Sequence, residues 1–345
     1  MVSINMLSKA SSVKGQGVLS AHDEQVELVK KELVEYEVIE NKVKFCEIMH
    51  FHTINPEFFL MLPFAKKKSK TVAYVHFVPE TLEGSIHLIK PIKKLFYKYL
   101  ITFYKSMDYL VVVNPYFIDV LTKYGIDKSK ITYIPNFVSS DNFYKLEKSK
   151  IDDIKEKYNI KKNKFVVLSV GQLQKRKGVL DFIKIAEAMP DIEFVWAGDA
   201  VFGKITEGYK QIKQRLEGKL PNNIHFLGLI ERTKMNEIYN IADVMFLPSY
   251  DELFPMTILE AMCLNIPILT RNLDIYENIL FDFYLKGKDN EDFINIIYRL
   301  KQDKDYYNKA VDMSNRGNKF YDKNNVADMW RDFYHKISMG KENGK

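Results

Sequence analysis

Two glutamates within one short segment carry the clearest chemical signal. Glu252 and Glu260 are separated by seven residues and follow an apolar run that ends at Pro248. An ionised carboxylate only accepts hydrogen bonds, which suits it to the hydroxyl groups of a sugar. A solvated acidic loop and a surface glutamate are the ordinary alternative. This alternative fits Glu260 poorly, because its neighbours are apolar: Ile258, Leu259, Ala261 and Met262. The pair therefore predicts a sugar-binding site.

A helix start between the two glutamates predicts a place for a diphosphate. Pro255 is favoured at the first position of a helix, because proline has no N–H to leave unpaired there. The amides of Met256 and Thr257 would then point out of the helix start. The helix dipole adds partial positive charge at that end, so a diphosphate can bind there.

A basic, glycine-bounded loop is the second candidate for phosphate binding. It begins at Gly171, directly after the apolar run 165–170, and ends at Gly178. Glycine lets the backbone approach a phosphate closely, and Arg176 and Lys177 supply positive charge. A basic turn before a helix is common, and the spacing is not that of a P-loop. The loop therefore indicates phosphate binding only in combination with the two glutamates.

These segments need a framework of parallel α/β units. Short β-rich runs alternate with helical stretches along the chain, which is typical of such units. In the first half we predict strands at 2–7, 72–76, 109–113 and 131–135, and a helix at 18–33. In the second half we predict strands at 165–170, 192–197, 224–227, 243–248 and 266–270, and a helix at 179–189. Ligands of such sheets bind beyond the carboxyl ends of the strands.

The length and the two series of strands predict two domains. A chain of 345 residues is too long for one ordinary doubly wound unit. The polar stretch 139–164 reads as the connection between the domains. We predict an N-terminal acceptor-binding domain at 1–145, a C-terminal donor-binding domain at 146–320, and a last helix at 321–345 that packs back on the N-terminal domain. The fold class is α/β, with two facing Rossmann-like domains and the ligand in the cleft between them.

Composition predicts the compartment. Cys46 and Cys263 are the only cysteines and lie far apart, so a reducing compartment is the default. The N-terminus lacks the features of a signal peptide, and no apolar run approaches the roughly 18 residues that span a bilayer. We expect a cytoplasmic protein that is peripheral on the inner face of the cell membrane.

A basic zone between Met61 and Met107 predicts an anionic surface as partner. The zone has nine lysines and two glutamates, a net +7, whereas the whole chain carries +6. Several lysines recur every four residues among aromatics and leucines, which is typical of an interfacial helix on anionic lipid. The lysines predicted to face the membrane are Lys66, Lys67, Lys68, Lys90, Lys94 and Lys98. A domain helix with snorkelling lysines is the alternative, and no nucleic-acid recognition fold is visible.

Taken together, the motifs resemble the retaining GT-B glycosyltransferases of family 4. Two glutamates separated by seven residues and a glycine loop ending in Lys-Gly are hallmarks of that family. Lesser matches follow in order along nearly the whole chain: Gly15 and Gly17 after the first strand, His76 after a strand, the segment 133–136 and the segment 197–199. The opening segment 8–18 is most similar to bacterial diacylglycerol glycolipid enzymes, particularly those that add a second sugar to monoglucosyldiacylglycerol.

The resemblance implies roles around a UDP-sugar donor. Glu260 would hold the ribose hydroxyls, and Glu252 would hold hydroxyls of the transferred sugar. Lys177 would neutralise the leaving diphosphate, His76 would contact the sugar, and Gly17 would let the N-terminal loop close on the phosphate. The predicted catalytic residues are His76, Lys177 and Glu252. The predicted donor-binding residues are Gly17, Gln172, Arg176, Lys177, Glu252, Met256, Thr257 and Glu260.

The chain departs from the family pattern at several positions. Gln172 replaces the usual arginine of the lysine loop, and Arg176 is the candidate to supply that charge. The family usually has glycine at Leu253, Pro255 and Asn265. Pro255 removes one amide from the phosphate nest and leaves those of Met256 and Thr257.

The resemblance also implies a reaction without metal or cofactor. Family 4 enzymes retain the anomeric configuration, and no carboxylate here stands out as a nucleophile. A front-face path fits, in which the departing phosphate oxygen helps take the acceptor proton. Asp303-Lys304-Asp305 lies in a charged helical tail, and the segment 50–52 lacks the cysteine or acidic pair of a zinc site, so it indicates a strand end instead.

We therefore predict transfer of glucose from UDP-glucose to monoglucosyldiacylglycerol, giving diglucosyldiacylglycerol. Four alternatives stay open. One is galactose instead of glucose. The second is a soluble enzyme for a cell-wall or capsular polysaccharide precursor. Another is a non-catalytic sugar-nucleotide-binding subunit. The last is a two-domain epimerase that interconverts the sugar nucleotide without an acceptor.

Overall fold

The structure is a computed structural model that describes residues 1–9, 17–82, 89–199, 208–252 and 254–339, and the side chains of the first helix from residue 22 onward. Two compact units divide the chain. The first contains Met1–Phe137 and Tyr321–Lys345, and the second contains Val138–Phe320. The first division therefore falls between residues 137 and 138, whereas the sequence places it between 145 and 146.

The first unit is built on a six-stranded parallel sheet with the strand order β2-β1-β3-β4-β5-β6. Its elements up to the connection are β1 (Val2–Leu7), α1 (Gly17–Glu32), β2 (Tyr36–Glu40), β3 (Ile48–Phe51), α2 (Pro56–Ala65), β4 (Lys70–Val75), α3 (Lys90–Lys105), β5 (Tyr109–Val112), α4 (Tyr116–Lys123) and β6 (Ile131–Tyr133). Central strands such as β3 are buried along their whole length. Burial on both faces is expected of a parallel sheet with helical crossovers.

The second unit repeats this plan with the strand order β12-β11-β10-β7-β8-β9. Its elements are α5 (Lys148–Lys157), β7 (Val166–Val170), α6 (Val179–Ala188), β8 (Glu193–Ala197), α7 (Tyr209–Glu217), β9 (Ile224–Phe226), α8 (Met235–Asn240), β10 (Val244–Leu247), α9 (Met256–Cys263), β11 (Ile268–Arg271), α10 (Asp274–Glu277), β12 (Leu285–Gly287), α11 (Asn290–Gln302) and α12 (Lys304–Phe320). Aromatic rings fill its core, with the Phe182 ring 5.1 Å from that of Trp196.

The last helix, α13 (Lys323–Met339), belongs to the first unit. Trp330, Phe333, Tyr334 and Ile337 recur at helical spacing and are all buried. The Gln25 amide of α1 donates to the Tyr334 hydroxyl over 3.2 Å. This apolar stripe therefore anchors the end of the chain on the first sheet.

The predicted strands agree with the structure except at the edges of both sheets and at the central strand β3, of which the sequence indicates only the end, at 50–52. We predict that the second series ends with the strand at 266–270, and this is wrong, because β12 pairs with β11 in parallel. The edge strand β2 is likewise absent from the prediction. Both are short and carry charged or glycine residues, which weaken the sequence pattern of a strand.

Among the described residues, no helix combines the length and the apolarity needed to cross a bilayer.

Candidate active site

Lys177 and Glu252 form the centre of the candidate site in the second unit. Lys177 lies in a turn between β7 and α6, and Glu252 lies in the loop between β10 and α9. The Lys177 ammonium donates to Glu252 Oε1 over 2.5 Å, with side chains only 16% and 5% exposed. Because β7 and β10 are neighbours, their carboxyl ends place the two loops together.

Burial and charge act in opposite directions on this pair. Burial raises the pKa of Glu252, but the charges of Lys177 and Arg176 outweigh it and lower the pKa below its ordinary value. Burial lowers the pKa of Lys177, and the charge of Glu252 offsets only part of this effect. Glu252 is therefore an ionised acceptor, and the cation beside it is one that a second anion could share.

Backbone contacts fix the turn that carries Lys177, termed here the lysine turn, to the loop that carries Glu252, termed here the glutamate loop. The Tyr250 N–H donates to the Arg176 carbonyl over 2.7 Å, and Arg176 Nη1 donates to the Asp251 carbonyl over 3.1 Å. Gly178 has φ 73°, and a Cβ there would lie 2.4 Å from the Pro248 carbonyl oxygen. Glycine is thus required at this crossing by its backbone conformation and by the space available.

Arg176 and Gln172 have different surroundings. The Arg176 guanidinium lies on the glutamate loop, where its charge helps lower the pKa of Glu252. The Gln172 side chain instead accepts a hydrogen bond from Gln174 over 2.6 Å. Of the two residues, only Arg176 is a cation placed beside the candidate site.

Helix α9 begins at Met256, with Pro255 in extended conformation just before it. The Ile258 N–H donates to the Pro255 carbonyl over 3.0 Å. The helix itself therefore has no acceptors for the amides of Met256 and Thr257, as expected at a helix start. Pro255 occupies the cap position and not the first helical position predicted from the sequence.

The end of α9 explains one departure from the family pattern. Asn265 has φ 55°, in the left-handed region. Its N–H donates to the Met262 carbonyl over 2.8 Å, and the Ile266 N–H donates to the Ala261 carbonyl over 3.1 Å. This is a Schellman cap, in which glycine is usual and asparagine is the tolerated substitute. The asparagine therefore preserves the helix end.

Glu260 lies on α9 and is 3% exposed. Its Oε1 accepts from Arg232 Nη1 over 2.6 Å, and its Oε2 accepts from the Tyr239 hydroxyl over 2.5 Å. Burial, followed by the charge of Glu260, raises the pKa of Tyr239 well above its ordinary value, so this hydroxyl stays protonated and donates. Glu260 is thus held rigidly, and a carboxylate retains further lone pairs for a hydroxyl ligand.

A buried hydrogen-bond network behind the glutamate loop is not predicted from the sequence. Arg271 Nη2 donates to Asp181 Oδ2 over 2.8 Å, and the Tyr250 hydroxyl donates to the same oxygen over 2.5 Å. The Arg271 guanidinium also lies 4.0 Å from the centre of the Tyr250 ring. These contacts fix Tyr250, which immediately precedes Asp251 and Glu252. No local spacing signals the network, because its members come from three separate elements.

His76 lies in the first unit, directly after β4, and is 6% exposed. Its ring centre is 4.4 Å from that of Tyr74 and 6.2 Å from that of His52. Burial and the nearby His22 lower the pKa of His76 to about 3. The ring is therefore neutral at physiological pH. β3 ends at Phe51, as the 50–52 segment predicts.

Three positions singled out in the sequence lie at or beyond the limits of the described residues. Helix α1 begins at Gly17, whereas Gly15 and Leu253 lie outside the described residues. Within the described part of the chain, no group of three or more His, Cys, Asp or Glu side chains has an arrangement that could hold a metal ion.

The predicted membrane lysines lie on the surface of the first unit, around α2 and α3. All six lysine side chains are exposed, although Lys66 Nζ also lies 3.5 Å from Asp108 Oδ1. The C-terminal half of α3 faces the core through Leu100, Ile101, Phe103 and Tyr104. Its N-terminal half exposes Ile92 and Leu95 at 50% and 68%. The helix thus combines the core face of the alternative interpretation with an exposed basic and apolar half.

Comparison with known families accounts for both halves of the chain. Residues 39–142 match the family model described as Glycosyltransferase Family 4, and residues 150–320 match Glycosyl transferases group 1. The second match spans the lysine turn, the glutamate loop and α9.

Relatives extend the match over nearly the full length. The chain is 39% identical to the alpha-galactosylglucosyldiacylglycerol synthase of Streptococcus pneumoniae, over 98% of this chain and 91% of that protein. It is 27% identical to the processive diacylglycerol alpha-glucosyltransferase of Acholeplasma laidlawii, over 68% of this chain and 70% of that protein.

Solved structures share the fold. Anabaena HepE, solved with UDP-glucose, superposes with a TM-score of 0.76 at 15% identity, covering 97% of this chain and all of that one. WaaG, a glycosyltransferase of lipopolysaccharide biosynthesis, gives a TM-score of 0.66 at 16% identity, covering 96% and 99% of the two chains. Fold and site thus define a GT-B protein. The chain belongs to the glycosyltransferase family that combines the family 4 and group 1 domains.

Proposed function

We propose that this protein transfers a hexosyl group from a UDP-hexose to glucosyldiacylglycerol at the inner face of an anionic membrane. The relative from Streptococcus pneumoniae supports this acceptor, since its name describes a glycolipid of that kind and its similarity covers nearly the whole chain. The diacylglycerol glucosyltransferase of Acholeplasma laidlawii supports the same class of acceptor. The single structural observation that carries the proposal is the buried Lys177–Glu252 pair at 2.5 Å beside the start of α9.

Lys177 and Glu252 provide one group for the diphosphate and one for the transferred sugar of the donor. The diphosphate would share the Lys177 ammonium with Glu252 and accept hydrogen bonds from the amides at the start of α9. Glu252 would then accept hydrogen bonds from hydroxyls of the transferred sugar. Glu260, held by Arg232 and Tyr239, would accept from the ribose hydroxyls.

These residues stabilise the charge that develops on the leaving diphosphate. Lys177, Arg176 and the α9 dipole are fixed before the reaction, so little reorganisation is needed as the bond breaks. The proposal includes retention of configuration by a front-face path, with the leaving phosphate oxygen taking the acceptor proton. It also includes a reaction without metal or cofactor, in which Lys177, Arg176 and the α9 N-terminus are the groups that face the diphosphate.

The membrane part of the proposal is supported by exposed side chains on α2, just after α2 and on α3, termed here the basic-apolar face. It consists of Leu60, Phe64, Ile92 and Leu95 together with Lys67, Lys68, Lys90, Lys94 and Lys98. The two helices pack side by side, since the Phe59 and Tyr99 rings are 5.6 Å apart. Apolar groups beside lysines suit the interface of an anionic bilayer.

The hexose has two candidates. Glucose is the donor sugar predicted from the sequence, whereas the name of the relative at 39% identity favours galactose. The measurement is transfer from radiolabelled UDP-glucose or UDP-galactose, without added metal, in anionic vesicles with and without monoglucosyldiacylglycerol. We expect label in a diglycosyl lipid only when the acceptor is present, with the preferred nucleotide identifying the hexose.

Further readouts decide the remaining parts of the proposal. NMR of the labelled product should show the α configuration, and addition of EDTA should leave the rate unchanged. Absence of lipid labelling, with UDP-sugar binding intact, would refute the acceptor and favour a soluble acceptor. Interconversion of the two UDP-sugars without transfer would instead indicate an epimerase.

A further inference from the structure

Four buried histidines form a group in the first unit, termed here the histidine cluster: His22, His50, His52 and His76. The His52 ring centre lies 4.5 Å from that of His50, 4.7 Å from that of His22 and 6.2 Å from that of His76. All four side chains are more than nine-tenths buried. Of these residues, only His76 is among the sugar-contacting residues that the family resemblance implies, and the donor site proposed above uses none of the four.

The cluster lies where a parallel α/β sheet binds ligands. His50 and His52 stand at the carboxyl end of β3, and His76 directly follows β4. β1, β3 and β4 are neighbours in the sheet, and His22 is on α1, the helix that follows β1. Ligands of such sheets bind beyond the carboxyl ends of the strands.

Hydrogen bonding leaves donors of the cluster unsatisfied. Gln25 Nε2 donates to the Tyr334 oxygen, and the Tyr334 hydroxyl lies 2.9 Å from His50 Nδ1. His50 Nε2 has no protein partner. Neither nitrogen of His52 has a protein partner. Whichever tautomer His52 adopts, it therefore presents an N–H without an acceptor.

Buried polar groups in native proteins are normally paired, so these nitrogens indicate a ligand with hydrogen-bonding groups. Burial lowers the pKa of His50 and His76 to about 3 and that of His52 well below its ordinary value. Neutral imidazoles offer one donor and one acceptor each, as hydroxyl groups do. Neutral rings do not favour an anion, and no arrangement among the described residues could hold a metal.

We propose that the histidine cluster, centred on His52, binds hydroxyl groups of the sugar headgroup of the acceptor lipid. The proposal rests on the proposed function, in which the acceptor carries a sugar. The donor sugar has the same hydroxyl chemistry and is the competing source, so the test must separate the two substrates.

The test compares His52→Phe, which keeps a ring and removes both nitrogens, with His52→Gln, which keeps a donor and an acceptor. His335→Gln on α13 is the matched control, because His335 is exposed. Initial rates are measured with each substrate varied in turn. We expect His52→Phe to raise the acceptor KM about tenfold or more, from loss of hydrogen bonds to the headgroup. The donor KM should change less than about twofold, and His52→Gln should recover part of the loss.

A binding measurement keeps the proposal testable where a variant fails to fold. Glucosylglycerol, the headgroup without acyl chains, is titrated into the wild-type protein while the histidine ring ¹⁵N signals are followed by NMR. We expect the His52 ring signals, assigned in the wild-type protein through their bonds to the His52 backbone, to shift on addition of this probe.

The outcomes separate the two proposals. An unchanged acceptor KM in His52→Phe, an equal rise in the donor KM, or the absence of a ring shift with glucosylglycerol would overturn the role of the cluster. If the wild-type protein transfers no sugar to glucosyldiacylglycerol, the proposed function fails, and the NMR titration still tests the hydroxyl site by itself.

Discussion

At the scale of single residues, the candidate donor site depends on how buried charges are paired. Lys177 and Glu252 satisfy each other, and Glu260 is satisfied by Arg232 and Tyr239. Removing one member of a buried pair leaves the other charge without compensation, so such residues are costly to change for stability as well as for function. A substitution here must therefore be tested for folding and turnover together.

The first prediction concerns Lys177. Lys177→Ala should lower turnover by about 10²- to 10³-fold, because a cation fixed beside the developing diphosphate charge is lost. Steady-state transfer to the glycolipid is the measurement. Lys175→Ala is the control, since Lys175 lies in the same turn but is exposed, and its turnover should stay within about threefold. Near-normal turnover of Lys177→Ala, in a protein with native circular dichroism, would refute the role of this lysine.

At the scale of elements, the first sheet has to bury several neutral imidazoles. His50 is fully buried between β3 and α13, where its ring centre lies 5.4 Å from that of Trp330. Protonation of such a ring is opposed by desolvation, and the neighbouring histidines add to this effect. The packing of α13 against the sheet is therefore linked to pH.

The second prediction is that the first unit loses stability as the pH falls from about 6.5 toward about 3. In the unfolded chain a histidine takes up a proton near pH 6.5, whereas His50 in the folded protein does so only near pH 3. The unfolded state therefore binds more protons in this window, and acid favours it by up to about 1.4 kcal/mol per pH unit for each such histidine. Above this window the histidine contribution no longer changes with pH.

Urea unfolding at several pH values, followed by Trp330 fluorescence in a Trp196→Phe background, measures the effect, because the chain has two tryptophans. His50→Gln should reduce the slope of unfolding free energy against pH, and His335→Gln should not. Equal slopes in both variants would show that His50 does not cause the loss of stability.

At the scale of the whole molecule, charge is distributed unevenly. The zone between residues 61 and 107 carries a net +7, although the chain carries +6. Exposed apolar side chains accompany this charge along the chain, with Leu60 72% and Phe64 62% exposed. Under the proposed function, the basic-apolar face would combine long-range attraction to anionic lipid with groups that can enter the interface.

The third prediction follows from this combination. Replacing Lys90, Lys94 and Lys98 with serine should weaken binding to anionic vesicles by about 3 kcal/mol, roughly 100-fold, at about 1 kcal/mol per lysine. The effect should shrink at high salt, because salt screens exposed charges. The control replaces three exposed lysines of the second unit, Lys148, Lys150 and Lys157, and should retain most binding. Equal losses in both triple variants would mean that only net charge matters. Vesicle sedimentation at two salt concentrations is the measurement.

Much of this protein was determined by its sequence alone. Strand and helix periods identified two α/β series, and short motifs identified the lysine turn, the glutamate pair and the family. These signals are local, since a period or a motif spans fewer than about 20 residues. The edge strands were not predicted because their sequence pattern is weak, and β12 was missed for that reason.

Only the tertiary structure decided which groups meet. Lys177 and Glu252 are 75 residues apart, and Asp181 and Arg271 are 90 apart. Strand order brings these residues together, and no spacing in the sequence encodes that order. The same holds for the histidine cluster, whose members come from α1 and from the ends of two strands. Burial then fixes their chemistry, because desolvation keeps these rings neutral and leaves their N–H groups to be satisfied by a ligand.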